Sequence, residues 1–379
     1  MYGGGKIGRG FIGRKLVDSG FDVCFLDNVQ PLVDALNREQ RYTVRVATEA
    51  DSRDVTVSPV SALYSEGEEA LDAIADCDLL CTAVGANSLP DIAAVIAKAA
   101  ALRMMRGGRP LDIIICENQL AADVILRDNV YPRLDDAARV WADRNLGFVP
   151  ACIGCTVPAP TPEMQRESPL LLCMEPYMDL PVDRTAFKGE IPEIVGLIPF
   201  EPFEYYIQRK LFVHNGAHAM CAYLGWQKGY TYIHESIADP EIHAAVHAHM
   251  RAVADALVAR YGEKVRGDVD RNIEDLLRRF KNSAIMDTLA RVGADPIRKL
   301  RRNDRIVGAA LFEMENGVDP APTLRAIAAA LRFDAPGDAK ADALREAFRE
   351  KGPDAVILEY MGIRPDEPLY AAIRAAIDR

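Results

Sequence analysis

The sequence has no uninterrupted apolar run of about 18 residues, so it predicts no membrane-spanning helix. It also offers no signal peptide ahead of its glycine-rich beginning, and we therefore expect a cytoplasmic protein. Positive charge is scarce, because 45 Lys and Arg residues stand against 56 Asp and Glu residues. The net charge of −11 disfavours nucleic acids and anionic membranes as partners, but it does not exclude an anionic small molecule held by a local basic patch.

A recognisable set of metal ligands is missing as well. Cys152 and Cys155 form a C-x-x-C pair, but no second ligand pair follows at a spacing that suits zinc, so we interpret them as two thiols in a loop. His243, His247 and His249 do not form an H-E-x-x-H motif, and we interpret them as polar residues of a surface helix. The sequence therefore predicts no metal site.

The length of 379 residues predicts two domains rather than one small core. In the first half, short apolar runs alternate with helix-like segments, which is the pattern of a parallel α/β sheet. Beyond about residue 190, long helical periodicity dominates. We predict a Rossmann-like α/β domain over residues 1–185 and a mainly α-helical domain over residues 186–379.

A G-x-G-x-x-G pattern stands at the start of the chain, formed by Gly3, Gly5 and Gly8. Small residues there let backbone N–H groups approach a pyrophosphate at a helix N-terminus. A strand-like run ends at Asp27, about 20 residues further on, where a carboxylate binds ribose hydroxyls and repels a 2′-phosphate. The pattern indicates an NAD site; the alternative is a structural glycine loop followed by an ordinary surface aspartate.

Only Met1 and Tyr2 precede this pattern, so the first strand of the Rossmann-like domain is nearly missing. We expect that loss to reduce stability and to distort the pyrophosphate turn, and one hypothesis is that the natural start lies upstream.

Two other positions are candidates for ligand binding. Gly85 and Asn118 each follow a buried strand-like run, and ligands of open α/β sheets bind at the carboxyl ends of strands.

The segment around residues 209–218 collects a lysine, an asparagine and two histidines. A desolvated lysine can act as a general base, and amide groups can stabilise a developing oxyanion. A regular α-helix would align Lys210, His214 and His218 but would turn Asn215 away from them. The alternative is an amphipathic helix with a snorkelling lysine and hydrogen-bonded histidines, so this segment alone leaves the question open.

Several motifs, considered together in their order along the chain, favour the catalytic interpretation of this segment. Taken together they resemble the polyol-specific long-chain dehydrogenase/reductase family over nearly the whole chain. The motifs are the glycine pattern, Thr82-Ala83-Val84-Gly85, Cys116-Glu117-Asn118, Lys210…Asn215…His218, Ala222-Tyr223-Leu224-Gly225, Arg279-Phe280-Lys281-Asn282, and Val292–Leu300 with Asp304-Arg305.

The resemblance implies a metal-independent hydride transfer to NAD in a Rossmann-like plus helical fold. It implies that Lys210 is the general base, that Asn118 and Asn215 form an oxyanion hole, and that His218 positions the reacting hydroxyl. The implied reaction interconverts a polyol phosphate and a ketose phosphate, namely mannitol 1-phosphate and fructose 6-phosphate. Relatives carry a V-D-R element where this chain has Ile153-Gly154-Cys155-Thr156, so the identity of the substrate stays undecided.

Phosphate recognition would need a basic patch, and one dense basic run is present. Arg298, Lys299 and Arg305 are candidate phosphate ligands, although a solvated basic loop would look the same. Arg279 and Asn282 are further substrate candidates on the resemblance alone.

Two other functions stay open at this stage. One is reduction of an unphosphorylated ketose or of a hexuronate such as fructuronate or tagaturonate. Another is a non-catalytic protein of the same fold that senses a dinucleotide. A zinc-dependent dehydrogenase lacks its ligands, and the sequence does not predict the oligomeric state.

Overall fold

The computed structural model describes residues 1–48 and 51–378, and the chain divides into two compact units, Met1–Glu204 and Tyr205–Arg379. Residues 186–204 therefore pack with the first unit, although the sequence predicts a boundary near residue 185. The first unit contains the strands of the described residues: β1 (Val23–Asp27), β2 (Tyr42–Ala47), β3 (Ser52–Val57), β4 (Val60–Tyr64), β5 (Leu80–Thr82), β6 (Leu111–Ile115), β7 (Leu146–Pro150), β8 (Leu172–Met174), β9 (Leu180–Asp183) and β10 (Leu197–Phe200).

Helices connect many of these strands and make up most of the second unit. Those that begin in the first unit are α1 (Arg14–Asp18), α2 (Gln30–Glu39), α3 (Glu68–Asp76), α4 (Leu89–Met105), α5 (Ala122–Val130), α6 (Asp136–Asn145), α7 (Pro162–Glu167) and α8 (Glu204–Gln208). Those of the second unit are α9 (Ala217–Gln227), α10 (Ile233–Ala238), α11 (Pro240–Tyr261), α12 (Arg266–Phe280), α13 (Leu289–Gly293), α14 (Pro296–Lys299), α15 (Val307–Glu315), α16 (Ala321–Ala330), α17 (Ala339–Val356) and α18 (Pro368–Ile377).

The central sheet of the first unit is parallel, and the nearly missing first strand lies at its centre. β1 pairs with β4, and β5, β6 and β7 pair in that order. Tyr2 bridges both halves, because it pairs with Leu26 of β1 on one side and with Thr82 of β5 on the other. On the β5 side its N–H donates to the Cys81 carbonyl at 2.7 Å, and its carbonyl accepts from the Ala83 N–H at 2.8 Å. The spatial order is therefore β4-β1-Tyr2-β5-β6-β7, which is the Rossmann order 3-2-1-4-5-6.

The short central strand makes more contacts than its length suggests. The Met1 carbonyl accepts from the Leu26 N–H, and the Gly3 N–H donates to the Leu26 carbonyl, each at 2.8 Å. Met1 and Tyr2 are 8% and 6% exposed, so both side chains are part of the core. A cavity of about 90 Å³ lies beside them and is lined in part by Val23 and Leu80. Pairing on both sides thus holds the glycine pattern at the carboxyl edge of the sheet.

The second unit is built of helices around α9. Six consecutive or nearly consecutive side chains of α9 are 1% exposed or less, and α10, α11, α13 and α16 pack against this helix. They are Ala217, Ala219, Met220, Cys221, Ala222 and Tyr223. Among the described residues, none of the helices combines the length and the apolar character that crossing a membrane requires. The predicted fold class, a Rossmann-like first domain followed by a mainly helical second domain, is confirmed.

Candidate active site

The glycine pattern forms a tight turn that only glycine can make at two of its positions. Gly3 has a φ of +92°, and a Cβ on Gly8 would lie 1.9 Å from the Gly3 carbonyl oxygen. A Cβ on Gly5 would meet nothing within 4 Å, so the turn is open on that side. The buried Arg9 supports the turn, since its Nε donates to the Gly4 carbonyl at 2.6 Å. The turn can therefore receive a ligand at Gly5 while its far side is packed.

Asp27 lies at the end of β1 beside this turn. Its Oδ2 accepts from the Gly4 N–H at 2.7 Å, and its Oδ1 accepts from the Val29 N–H at 2.9 Å. The side chain is mostly buried, and each carboxylate oxygen keeps a second lone pair. The carboxylate that the sequence assigns to ribose binding is thus fixed against the glycine turn by two backbone donors.

The end of β5, where the sequence places the candidate Gly85, is held by Glu117, a residue that the sequence did not indicate. The Val84 and Gly85 N–H groups donate to the two carboxylate oxygens of Glu117, at 2.8 and 2.9 Å. Burial raises the pKa of Glu117, although these two N–H donors act in the opposite direction. Asn118 follows directly and is exposed. The paired backbone bonds fix the end of β5 against the end of β6.

The run that carries Lys210 is not a regular α-helix. Between α8 and α9 the chain forms a π-helix over Arg209–Gly216, which we call the π segment. A π-helix pairs residue i with residue i+5, so Lys210 and Asn215 lie on one side, whereas a regular helix would separate them by about 140°. Both side chains are half-buried. Regular helix geometry, assumed from the sequence, is therefore wrong for this segment.

His218 is oriented by groups from outside its own helix. Its Nε2 lies 3.2 Å from Asp287 Oδ2, and its ring stacks on Phe280 with a centroid separation of 4.9 Å. Arg291 Nε donates to the other Asp287 oxygen at 2.7 Å. Burial alone would raise the pKa of Asp287, but the His218 and Arg291 partners outweigh it and the pKa is lowered. A charged carboxylate therefore fixes the plane of the His218 ring.

His214 and Arg279 lie together beside this pair. The two histidine rings are 6.1 Å apart, and the His214 ring is also 6.1 Å from that of Phe280. Burial, and then the nearby charge of Arg279, lower the pKa of His214 well below its usual range. Asn282 caps the turn that follows α12, since its Oδ1 accepts from the Ala284 N–H at 3.1 Å. Lys210, His218 and Arg279 thus lie close enough to His214 for their charges to act on it.

The structure divides the basic run into exposed and buried members. Arg298 is 48% exposed at its side chain and pairs with Asp295 at 3.4 Å, and Arg305 pairs with Asp304 at 2.7 Å. Lys299 is buried, and its Nζ donates to the Ala294 carbonyl. Burial, reinforced by the charges of Arg305 and Arg298, lowers the pKa of Lys299 to about 7.

The two motifs that suggested a metal have different outcomes. Cys152 and Cys155 are buried thiols that form no disulfide. In the part of the chain that the structure describes, no three His, Cys, Asp or Glu side chains are grouped as metal ligands would be. The surface interpretation is wrong for His249, which is 1% exposed and hydrogen-bonded inside the second unit. At the position of the missing V-D-R element, the buried Glu175 accepts from the Thr156 N–H at 2.5 Å.

Comparison with known proteins decides the family. Residues 1–196 match the mannitol dehydrogenase Rossmann domain, and residues 203–373 match the mannitol dehydrogenase C-terminal domain. The chain belongs to the mannitol dehydrogenase family. The resemblance seen in the motifs is confirmed, and so is the prediction that the protein is a dehydrogenase of this kind.

Members of the mannitol dehydrogenase family with curated names match over almost the whole chain. The mannitol-1-phosphate 5-dehydrogenase of Bacillus subtilis is 38% identical over 374 residues, which cover 98% of this chain and 97% of that protein. The enzyme of the same name from Brevibacillus brevis is 37% identical over 376 residues, covering 98% and 95%.

Two solved structures share the fold. A substrate-free D-sorbitol dehydrogenase aligns with a TM-score of 0.75 and 16% identity, covering 93% of each chain. A mannitol 2-dehydrogenase of Pseudomonas fluorescens, solved with NAD and D-mannitol, aligns with a TM-score of 0.71 and 17% identity, covering 100% of this chain and 90% of the other.

Proposed function

We propose that this dehydrogenase uses NAD to interconvert mannitol 1-phosphate and fructose 6-phosphate. The observation that supports the proposal is the π segment, because the i to i+5 pairing of a π-helix favours Lys210 and Asn215 on the same side of it. The names of the two bacterial relatives support a phosphorylated substrate. Residues 1–185 would bind the cofactor, and residues 186–379 would bind the substrate.

The glycine turn fits NAD. The turn is packed on one side and open at Gly5, which suits a pyrophosphate, and the fixed Asp27 carboxylate suits a ribose diol. A carboxylate at this place also repels the 2′-phosphate of NADP. NAD, when bound, supplies the nicotinamide that accepts or returns a hydride. In this proposal Gly3, Gly5, Gly8, Asp27 and Gly85 hold the cofactor.

Lys210 is the proposed proton acceptor for polyol oxidation. Its neutral amine takes the proton of the reacting hydroxyl, and its ammonium returns that proton when the ketose is reduced. His218, held by Asp287, donates or accepts a hydrogen bond that orients the same hydroxyl. Asn118 and Asn215 donate amide hydrogens to the developing oxyanion, at about 2–4 kcal/mol for each donor.

The basic side chains provide the proposed phosphate site. Arg298 and Arg305 can offer guanidinium N–H groups to phosphate oxygens, and each is already oriented by an aspartate. Arg279 and Asn282 are proposed to bind substrate hydroxyls or the phosphate. Lys299 is buried, and its amine supports this loop by donating to the Ala294 carbonyl.

The function is tested by NADH oxidation with fructose 6-phosphate, fructose, fructuronate and tagaturonate. We expect turnover with the phosphorylated ketose alone. An Arg298→Ala variant should raise the KM for that ketose about tenfold, because it removes a charged donor. The matched control is Arg301→Ala, which removes an exposed arginine of the same run. Turnover with an unphosphorylated ketose would reassign the substrate, and NADH binding without any turnover would contradict an enzymatic role.

A further inference from the structure

Three buried polar residues form a hydrogen-bonded line beneath the π segment. His249 Nε2 lies 3.1 Å from the Phe212 carbonyl oxygen, and His249 Nδ1 lies 2.7 Å from Thr323 Oγ1. Thr323 Oγ1 in turn lies 2.6 Å from Glu313 Oε1. His249, Thr323 and Glu313 are 1%, 0% and 0% exposed, so water does not compete for these bonds.

The line ends on the π segment itself. Phe212 lies between Lys210 and Asn215 in the sequence, so its carbonyl belongs to the turn that brings those two side chains together. His249 reaches this carbonyl across Gly216, where a Cβ would lie 2.8 Å from His249 Nε2. A π-helix is less stable than an α-helix in isolation, and an external donor to one of its carbonyls favours the wider turn.

Hydrogen-bond counting fixes the direction of the line. The Phe212 carbonyl can only accept, so His249 Nε2 must carry a hydrogen. With a neutral imidazole, Nδ1 then accepts from the Thr323 hydroxyl, and Thr323 Oγ1 accepts from a protonated Glu313. Loss of the Glu313 proton reverses the direction of the hydrogen bonds. Thr323 then donates to Glu313, His249 Nδ1–H donates to Thr323, and His249 Nε2 faces the Phe212 carbonyl as a second acceptor.

The surroundings of Glu313 favour the protonated form. Its Oε2 is buried and has no hydrogen-bond partner among the described residues, which a carboxylic acid tolerates better than a carboxylate. Burial raises the pKa of Glu313 to about 8 and the nearby charge of Asp319 acts in the same direction, whereas a hydrogen bond donated by Thr323 acts against them. Burial lowers the pKa of His249 to about 4, so the imidazole is neutral near pH 7.

We propose that Glu313, Thr323 and His249 are positioning residues that hold the π segment in the shape that presents Lys210 and Asn215 to the substrate. The inference rests on the proposed function of Lys210, because the line acts through the segment that carries it. A proton on Glu313 keeps the His249 hydrogen directed at Phe212, and its loss releases that carbonyl.

The first test follows the imidazole of His249 in the unaltered protein by 15N NMR. We expect the Nε2–H tautomer below about pH 8 and a shift to the Nδ1–H tautomer as Glu313 ionises above it. Glu313→Gln should keep the Nε2–H tautomer at every pH, because its amide remains a donor to Thr323. A tautomer that does not change with pH in the unaltered protein would overturn the proposal.

The second test measures kcat against pH. The ratio of kcat for Glu313→Gln to that of the unaltered protein should rise several-fold from about pH 7 to about pH 9, whereas a structural role alone predicts a constant ratio. Thr323→Val should lower kcat about tenfold and leave the KM for NADH within about twofold. Ser236→Ala, which removes another buried hydroxyl of the second unit, is the matched control and should retain kcat.

The two tests separate the inference from the proposed function. If no sugar phosphate is turned over, the proposed function fails, and the NMR experiment still decides whether the line switches with Glu313. If turnover is found but the tautomer and the kcat ratio do not change with pH, the positioning role of Glu313, Thr323 and His249 is refuted and the proposed function stands.

Discussion

Lys210 is the residue on which the proposed chemistry depends most. It lies half-buried in the π segment near His214, whose pKa is lowered first by burial and then by the charges of Arg279, His218 and Lys210. In the proposed reaction, this amine exchanges a proton with the reacting hydroxyl. The residue type and its spacing to Asn215 and His218 were readable from the sequence, and the environment was not.

Replacing Lys210 by alanine should remove the proton acceptor. We expect kcat to fall by about 10²- to 10⁴-fold, the usual contribution of general acid–base catalysis, with NADH affinity nearly unchanged. Steady-state rates and NADH fluorescence titration measure the two quantities. Lys340→Ala, which removes an exposed lysine of the same unit, is the control and should keep full activity. Near-normal turnover of the Lys210 variant would refute its role.

Some important residues could not be predicted because their roles depend on distant partners. Glu117 and Glu313 look like ordinary acidic residues in the sequence, yet one binds two backbone N–H groups and the other is fully buried. A signal for His249 does exist. Ala245, Val246, Met250 and Val253 are its neighbours on the apolar side of α11, and helical periodicity places His249 with them.

Among the elements, the π segment and the glycine turn are the ones to which the proposal assigns function, and they differ in how far the sequence reveals them. The glycine turn follows from local sterics, since a Cβ on Gly8 would collide with the Gly3 carbonyl. The π segment depends on groups outside it: Arg209 donates to Asp268 at 2.5 Å at its start, and His249 and the Arg305 carbonyl lie against Gly216 at its end. Helical periodicity alone therefore predicts a regular helix there.

The glycine turn allows a sharp comparison between two of its positions. Gly8→Ala should abolish NADH binding and lower thermal stability, because the added Cβ would meet a backbone oxygen at 1.9 Å. Gly5→Ala should leave stability unchanged, because that Cβ meets no protein atom within 4 Å, but should weaken NADH binding. Thermal unfolding with and without NADH gives both quantities. Equal effects on stability at the two positions would contradict this structure of the turn.

Element boundaries followed the sequence closely where periodicity was long. The helical pattern of residues 241–261 corresponds to α11 (Pro240–Tyr261), and the apolar run that follows Asp112 lies in β6 (Leu111–Ile115). The polar stretch near 42–58 has no such clear pattern, yet it forms the antiparallel pair β2 and β3. The exposed face of β3 hides its alternation, because five of its six side chains are exposed or half-buried.

For the molecule as a whole, the order of the motifs was more informative than any single motif. The central sheet has the Rossmann order, because Met1, Tyr2 and Gly3 form backbone hydrogen bonds with the strands on both sides. Family membership follows from matches that span residues 1–196 and 203–373. Sequence order could predict fold and family because both are distributed over the chain, whereas phosphate recognition depends on a few side chains in one loop.

The most direct measurement of the central claim is the initial rate of NADH formation from mannitol 1-phosphate, compared with mannitol at the same concentrations. We predict a kcat/KM at least about 100-fold higher for the phosphorylated polyol, since charged hydrogen bonds from two arginines are worth about 3 kcal/mol or more. Equal kcat/KM values, or turnover of mannitol alone, would contradict the assignment of this chain as a polyol-phosphate dehydrogenase.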